Sequence, residues 1–295
     1  VTAASAGCDG RDAVTDSAAA PPPSSELGKR LISAVVMAAL AMAAVVLGGW
    51  PFLLFWAAAA VGVFLEWSAM TEGSAWAARV WGISALAGAA LAAGLGAFAI
   101  ALAAIVAGVA AVAAGDRSSH RTWRAAGVAY AGIVLLAPVV LRHDRAFGLL
   151  AILFLFAVVW STDIFGYFVG RAIGGPRLAP AVSPNKTWSG ACGGALGAVV
   201  AGVAVIVVAG GVAGQVAPGP AAAVALVLSI ASQAGDLFES SVKRRFGVKD
   251  ASHVIPGHGG LMDRLDGFIA AGGMAALAGL VRGGLDAAAR GFLLW

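Results

Sequence analysis

Phe147-Gly148-Leu149-Leu150-Ala151-Ile152-Leu153-Phe154-Leu155-Phe156-Ala157-Val158-Val159-Trp160-Ser161-Thr162 carries no charge, and Asp163 follows it at once. A helix that crosses a bilayer needs roughly 20 mostly apolar residues, with a range of about 17–25. The stretch fits a membrane span that ends on an acidic group. The rest of the chain agrees: 60% of its 295 residues are hydrophobic and only 12% are charged. Mean hydropathy is +0.91. A soluble domain carries about 25% charged residues, so lipid must cover much of this surface.

Working outward from Phe147–Thr162, eight more spans are expected: Leu31–Leu47, Phe52–Met70, Val80–Phe98, Ala99–Gly115, Ala125–Leu141, Gly190–Ala209, Ala221–Gly235 and Gly267–Val281. The expected fold is therefore all-α, a polytopic membrane protein of nine helices. Turns such as Gly48-Gly49-Trp50-Pro51 make neighbouring helices antiparallel. Only Gly94 and Gly96 mark a break within Val80–Gly115. Residues 1–30, with Pro21-Pro22-Pro23-Ser24-Ser25, lack an apolar stretch and read as a disordered polar tail. No cleavable signal is expected, and the first span is the expected membrane entry signal. The chain thus divides into the tail, an N-terminal group of helices over 31–160, and a C-terminal region over 161–295. That last region holds polar segments at 161–189 and 235–267.

Basic residues orient the spans, because positively charged loops favour the cytoplasm. With the N-terminus inside, inner loops hold 14 Lys and Arg, and outer loops hold four: Arg142, Arg145, Arg282 and Arg290. Both polar segments then lie on the cytoplasmic side of the cell membrane. A pI near 9.5 is explained by this topology, so no nucleic-acid partner is expected. Cys8 and Cys192 sit in unlike contexts and suggest neither a disulfide nor a metal site.

Five of the 15 acidic residues fall between Asp236 and Asp266. Asp236 and Glu239 are three apart, as are Asp263 and Asp266, which puts each pair on one helix face. Such carboxylates suit Mg²⁺, a hard cation held by one or two carboxylates plus substrate phosphates. Three of the four lysines, Lys186, Lys243 and Lys249, fall in the two polar segments of a chain with fifteen arginines. A compact ammonium binds phosphate as a point charge. Gly257-His258-Gly259-Gly260 would let backbone amides approach an anion. Plainer roles suit other residues: Arg244-Arg245 as topology markers, Glu66 and Asp144 as helix caps, His120 and His143 as interfacial groups.

Ser240 through Asp266, including Lys249-Asp250 and Ile255-Pro256-Gly257-His258-Gly259-Gly260-Leu261-Met262-Asp263-Arg264-Leu265-Asp266, resembles the C-terminal signature of the phosphatidate cytidylyltransferase family, the CDP-diglyceride synthetases. Asp163 through Arg171, Leu178-Ala179-Pro180 and Ser183-Pro184-Asn185-Lys186-Thr187-Trp188 are similar to that family's preceding block. Gln233, Gly235, Asp236, Glu239 and Ser240 resemble another. One departure is Ser189, where the family usually has Glu.

The resemblance implies a Mg²⁺-dependent transfer of the cytidylyl group of CTP to phosphatidic acid, giving CDP-diacylglycerol and pyrophosphate, with a second cation unidentified. It also implies a homodimer in the lipid bilayer. Asp236, Asp263 and Asp266 are the expected metal ligands, with Asp163 a further one. Asp236, Lys243, Asp263 and Asp266 form the expected catalytic set. Ser183, Asn185, Lys186, Thr187, Arg244, Lys249, His258, Gly259, Gly260 and Arg264 are the expected contacts to substrate. A CTP-dependent polyprenol or phytol kinase would share the helical shell and clustered charges, yet the run from Ser240 to Asp266 argues against it. A transporter would place broken helices and charge near mid-membrane, often with a repeat, which the chain lacks.

Overall fold

A computed structural model describes residues 23–71, 76–115, 119–209, 214–252 and 259–295. Among them run α1 (Pro23–Leu47), α2 (Gly49–Met70), α3 (Trp76–Gly94), α4 (Phe98–Gly115), α5 (Arg121–His143) and α6 (Gly148–Ile173). After α6 come β1 (Arg177–Ala179), β2 (Ser183–Thr187), α7 (Trp188–Ala209), α8 (Pro218–Arg245), α9 (Met262–Gly283) and the short α10 (Ala288–Leu293). Among the described residues eight helices, α2 to α9, are long and apolar enough to cross a membrane, and α1 adds the apolar stretch Ile32–Leu47. The protein is an all-α polytopic membrane protein. The expected breaks hold: Gly48 and Gly49 turn the chain at positive φ between α1 and α2, as Gly96 does between α3 and α4.

Four boundaries differ from expectation by five residues or more, each for a local reason. Residues 23–30 are the first turns of α1 rather than tail, since Pro23 at a first helical position fits the helix without loss of a hydrogen bond. The remainder of that expected tail lies outside the described residues. Helix α6 passes Thr162 and Asp163 and stops only at Gly174, where φ is +66°. Helix α8 likewise passes Gly235 to Arg245, with Gly247 at φ +70° beyond it. Helix α9 starts at Met262, ahead of the expected Gly267, so Asp263 and Asp266 sit in its first turn and a half. Polar residues at these ends changed the solvent, and the helices continued out of the apolar layer. Among the described residues the one non-helical element is the antiparallel hairpin β1–β2, pairing Arg177 with Thr187 and Ala179 with Ser183.

The core is aromatic on the α2 side, where Trp56 stacks on Phe268 of α9 with centroids 4.8 Å apart. On the other side, α6 and α7 meet backbone to backbone through glycine. A methyl on Gly190 would lie 2.7 Å from the Gly166 carbonyl, and one on Gly194 would lie 2.6 Å from the Thr162 carbonyl. In lipid, such small residues allow close helix contact. Asp144 acts as expected of a cap and reaches further than its own helix. One carboxylate oxygen accepts from the amides of Ala146 and Phe147, and the other accepts from the Arg290 amide at 3.0 Å, tying α6 to α10.

Candidate active site

The C-terminal ends of α6 and α8 and the N-terminal ends of α7 and α9 meet at one end of the bundle, with the hairpin across them. Both polar segments therefore share a face, as the charge pattern required. A pocket of about 820 Å³ opens there, lined by residues of α6, the hairpin, α7, α8 and α9. Its walls carry four carboxylates, Asp163, Asp236, Asp263 and Asp266, and four cations, Arg171, Arg177, Lys186 and Arg264. Chemically this is a place for a polyanion: cationic groups to meet phosphate oxygens, and acidic groups able to share a metal with them.

Each side chain is placed by a local feature. Thr187 is the residue before α7, and its hydroxyl accepts the Gly190 amide at 3.1 Å, an N-cap. Lys186, next to it on β2, forms an ion pair with Asp236 of α8. Ser240, one turn beyond Asp236, bonds the other oxygen of that carboxylate at 3.4 Å. Asp266 accepts the Gly267 amide at 2.7 Å through one oxygen. Asp163, Asp236 and Asp266 lie close enough for their negative charges to act on one another.

Asp263 is more heavily engaged. It accepts from Lys243 Nζ at 2.6 Å, from the Gly260 amide at 2.8 Å and from the Ala251 amide at 3.1 Å. Lys243 also lies 3.0 Å from Glu239, whose side chain is wholly buried. Lys243 thus sits behind the pocket wall, between two acids, and reaches the pocket only through Asp263.

The expected site residues fall into three groups. Asp163, Ser183, Asn185, Lys186, Thr187, Asp236, Asp263, Arg264 and Asp266 all line the pocket. Lys243, Arg244, Lys249, Gly259 and Gly260 do not line it: Arg244 is exposed in the last turn of α8 and bonds the Val248 carbonyl at 3.5 Å, and Lys249 is exposed beyond the helix end. His258 lies outside the described residues. Ser189, at the position of the family's usual Glu, bonds the Gly174 carbonyl and so closes the end of α6 onto the start of α7.

The sequence pattern of the cytidylyltransferase family matches residues 28–281 of this chain. The chain belongs to the cytidylyltransferase family. The "Phosphatidate cytidylyltransferase" of Brucella abortus biovar 1 (strain 9-941) is 44% identical over 264 residues, which cover 87% of this chain and 94% of that one. A protein of the same name from Staphylococcus haemolyticus (strain JCSC1435) is 41% identical over 142 residues, 48% of this chain and 52% of its own. One from Haemophilus influenzae (strain ATCC 51907 / DSM 11121 / KW20 / Rd) is 39% identical over 142 residues, 48% of this chain and 49% of its own.

Within this cytidylyltransferase fold, several pocket residues were not among the expected site residues. Tyr167 and Arg171 stand one helical turn apart on α6 and are joined by a 2.9 Å hydrogen bond. Gln233 of α8 donates to the Ala191 carbonyl at 3.3 Å and lines the pocket floor. Their signal was present, since all three fall within stretches that resemble the family. The glycines Gly166 and Gly170 fall in such a stretch too, and with Gly190 they set how closely the two pocket walls approach.

Proposed function

We propose that this protein transfers the cytidylyl group of CTP to phosphatidate, giving CDP-diacylglycerol and pyrophosphate. The observation that carries this is the pocket itself. Four acidic and four basic side chains share one cavity at the end of a membrane bundle, where a lipid headgroup and a nucleotide can meet. Membership of the family and the name of the Brucella relative supply the identity of the two substrates.

The chemistry asks little of a general base, because the phosphatidate phosphate is already an anionic nucleophile. One of its oxygens forms a bond to the α-phosphorus of CTP, the bond from that phosphorus to the bridging oxygen breaks, and pyrophosphate leaves with the electron pair. Two polyanions must be brought in line, so positioning and charge neutralisation dominate. Lys186, Arg171, Arg177 and Arg264 are placed to hold phosphate oxygens. Exposed Ile164, Phe165 and Phe168 on α6 give the lipid's acyl chains an apolar approach beside the headgroup.

Mg²⁺ fits the donor set as a cation shared with substrate. Among the described residues no three His, Cys, Asp or Glu side chains converge on one point, so an all-protein cage is absent. Mg²⁺ commonly takes only one or two carboxylates and completes its shell with water and phosphate oxygens. Asp163, Asp236, Asp263 and Asp266 are the residues that would hold it. When bound, the metal neutralises phosphate charge and aligns the leaving group. The distribution of Lys and Arg supports a cytoplasmic position for this face and for the N-terminus.

The test uses purified protein in detergent with phosphatidic acid, radiolabelled CTP and Mg²⁺. Cytidine label in the lipid with matching pyrophosphate is the expected result. A folded sample that yields neither overturns the proposal, and one that phosphorylates a polyprenol with release of CDP replaces it with the kinase.

A further inference from the structure

Glu66 lies on α2, far in sequence from both polar segments. It is 5% exposed and is the one charged residue of α2. Ionisable groups in membrane helices are costly and default to a functional role. Its own helix gives it no cationic neighbour, and no ion pair to it occurs among the described residues. Both of its oxygens are directed at the start of α9 instead.

The geometry is a clasp. One oxygen of Glu66 accepts from the Ser252 hydroxyl at 2.6 Å and from the Leu261 amide at 2.8 Å, and the other accepts from the Met262 amide at 2.7 Å. The first amides of a helix have no partner within it. Leu261 brings no side-chain cap to α9, so a carboxylate 195 residues upstream fills that place. On the other side of the same turn, Asp263 accepts the amides of Gly260 and Ala251. Gly260 fits between the two acids: a methyl there would lie 2.8 Å from Glu66 and 3.1 Å from Asp263. Two carboxylates thus grip one turn from opposite sides, and a charge-assisted bond from an amide to a carboxylate is stronger than a neutral one.

We propose that Glu66 is a positioning residue for the transfer reaction, holding the first turn of α9 so that Asp263 and Asp266 face the pocket in a fixed geometry. This rests on the proposed function, and on no contact between Glu66 and substrate. Carboxylates that share a metal with substrate must be held to within about 0.5 Å, which is the work of the residues behind them.

The experiment compares wild-type protein with Glu66→Ala, Glu66→Gln and Ser252→Ala in detergent. Amide hydrogen exchange over residues 259–268 is measured without metal, and turnover is measured across a Mg²⁺ titration. In Glu66→Ala the amides of Leu261 and Met262 exchange faster, while peptides from α6 and α7 keep wild-type protection. Loss of a supporting contact behind metal-binding groups typically costs about 10–100-fold, and the Mg²⁺ concentration for half-activation rises by at least the lower figure. Glu66→Gln, with one carbonyl oxygen left for two amides, falls between, and Ser252→Ala stays near wild type. Should Glu66→Ala not fold, Glu66→Gln carries the same two measurements.

Unchanged exchange at Leu261 and Met262 overturns the clasp. Faster exchange with an unchanged Mg²⁺ requirement makes Glu66 a structural cap alone and overturns the positioning role. If wild-type protein makes no CDP-diacylglycerol, the proposed function fails, and the exchange data still decide whether the clasp exists.

Discussion

Lys243 Nζ lies 2.6 Å from Asp263 on α9 and, on its own helix, 3.0 Å from the fully buried Glu239. The lysine is therefore the bridge between an acid with no access to solvent and an acid that lines the pocket. Removing one partner of a buried pair is costly, about 3–5 kcal/mol, because the other charge stays unpaired. Lys243→Ala is expected to lower the melting temperature and to abolish turnover together. Lys243→Met combined with Glu239→Gln removes the ammonium and its buried partner at similar volume, and Asp263 keeps the Gly260 and Ala251 amides, so most of the melting temperature is expected to return while turnover stays low. Thermal unfolding in detergent, read as a double-mutant cycle, checks this. Full stability in Lys243→Ala would show that Glu239 is not held by that contact.

Lys186 behaves differently, since it is part-exposed on a hairpin and meets Asp236 at the pocket wall. An exposed ion pair contributes little to stability, about 0–1 kcal/mol. A cation aimed at developing phosphate charge contributes far more to rate, about 10²–10³-fold for one well-placed donor. Lys186→Met is expected to keep a melting temperature close to wild type and to lose kcat/KM for CTP by roughly that range. Lys186→Arg restores it only in part, because a planar guanidinium does not reproduce a compact ammonium. A large fall in melting temperature with near-normal kcat/KM would reverse the assignment.

Composition, span count and the one-sided gathering of polar segments were legible because lipid imposes a length and a charge rule on every helix. Helix ends were less so. At Thr162 and Gly235 the hydropathy changes, and the chain changes solvent without changing conformation, so α6 and α8 run on until Gly174 and Gly247 permit a turn. Acidic spacing was read correctly as helical, and Asp263 and Asp266 indeed share the first turns of α9. Glu66 was legible only as a cap for some helix end. Nothing local says that its partners lie at Leu261 and Met262, since a contact across 195 residues has no periodic trace.

The glycine contact between α6 and α7 can be tested by volume alone. A methyl on Gly190 would sit 2.7 Å from the Gly166 carbonyl and 3.2 Å from Gly170 Cα, both backbone atoms that cannot rotate away. Overpacking of this kind typically costs about 1–3 kcal/mol. Gly190→Ala is expected to lower the melting temperature and to widen the pocket enough to weaken turnover. Gly88→Ala on α3 is the control, because nothing lies within 4 Å of its added methyl. In a helix interior Ala is favoured over Gly by about 0.8–1.0 kcal/mol, so the control is expected to be neutral or slightly stabilised. Equal behaviour of the two variants would remove the close-contact account.

Asp263 and Asp266 differ in how much of each carboxylate is already engaged, and this separates two roles that look alike in sequence. Asp263 takes three donors from Lys243, Gly260 and Ala251. Asp266 takes the Gly267 amide on one oxygen and lines the pocket. Asp263→Asn places an amide group against two backbone N–H donors and an ammonium, and buried donors left unsatisfied cost about 1–3 kcal/mol each. That variant is expected to lose stability and turnover together. Asp266→Asn loses only charge, so the melting temperature holds or rises as repulsion from Asp163 and Asp236 is relieved. Its turnover falls, and the Mg²⁺ concentration for half-activation rises by about 10-fold or more, as for a weakened metal ligand. Melting curves and Mg²⁺ titrations on the two variants settle the division of labour. If Asp266→Asn keeps the wild-type Mg²⁺ requirement, the metal is held by Asp163 and Asp236 with Asp263, and Asp266 serves only the fold of α9.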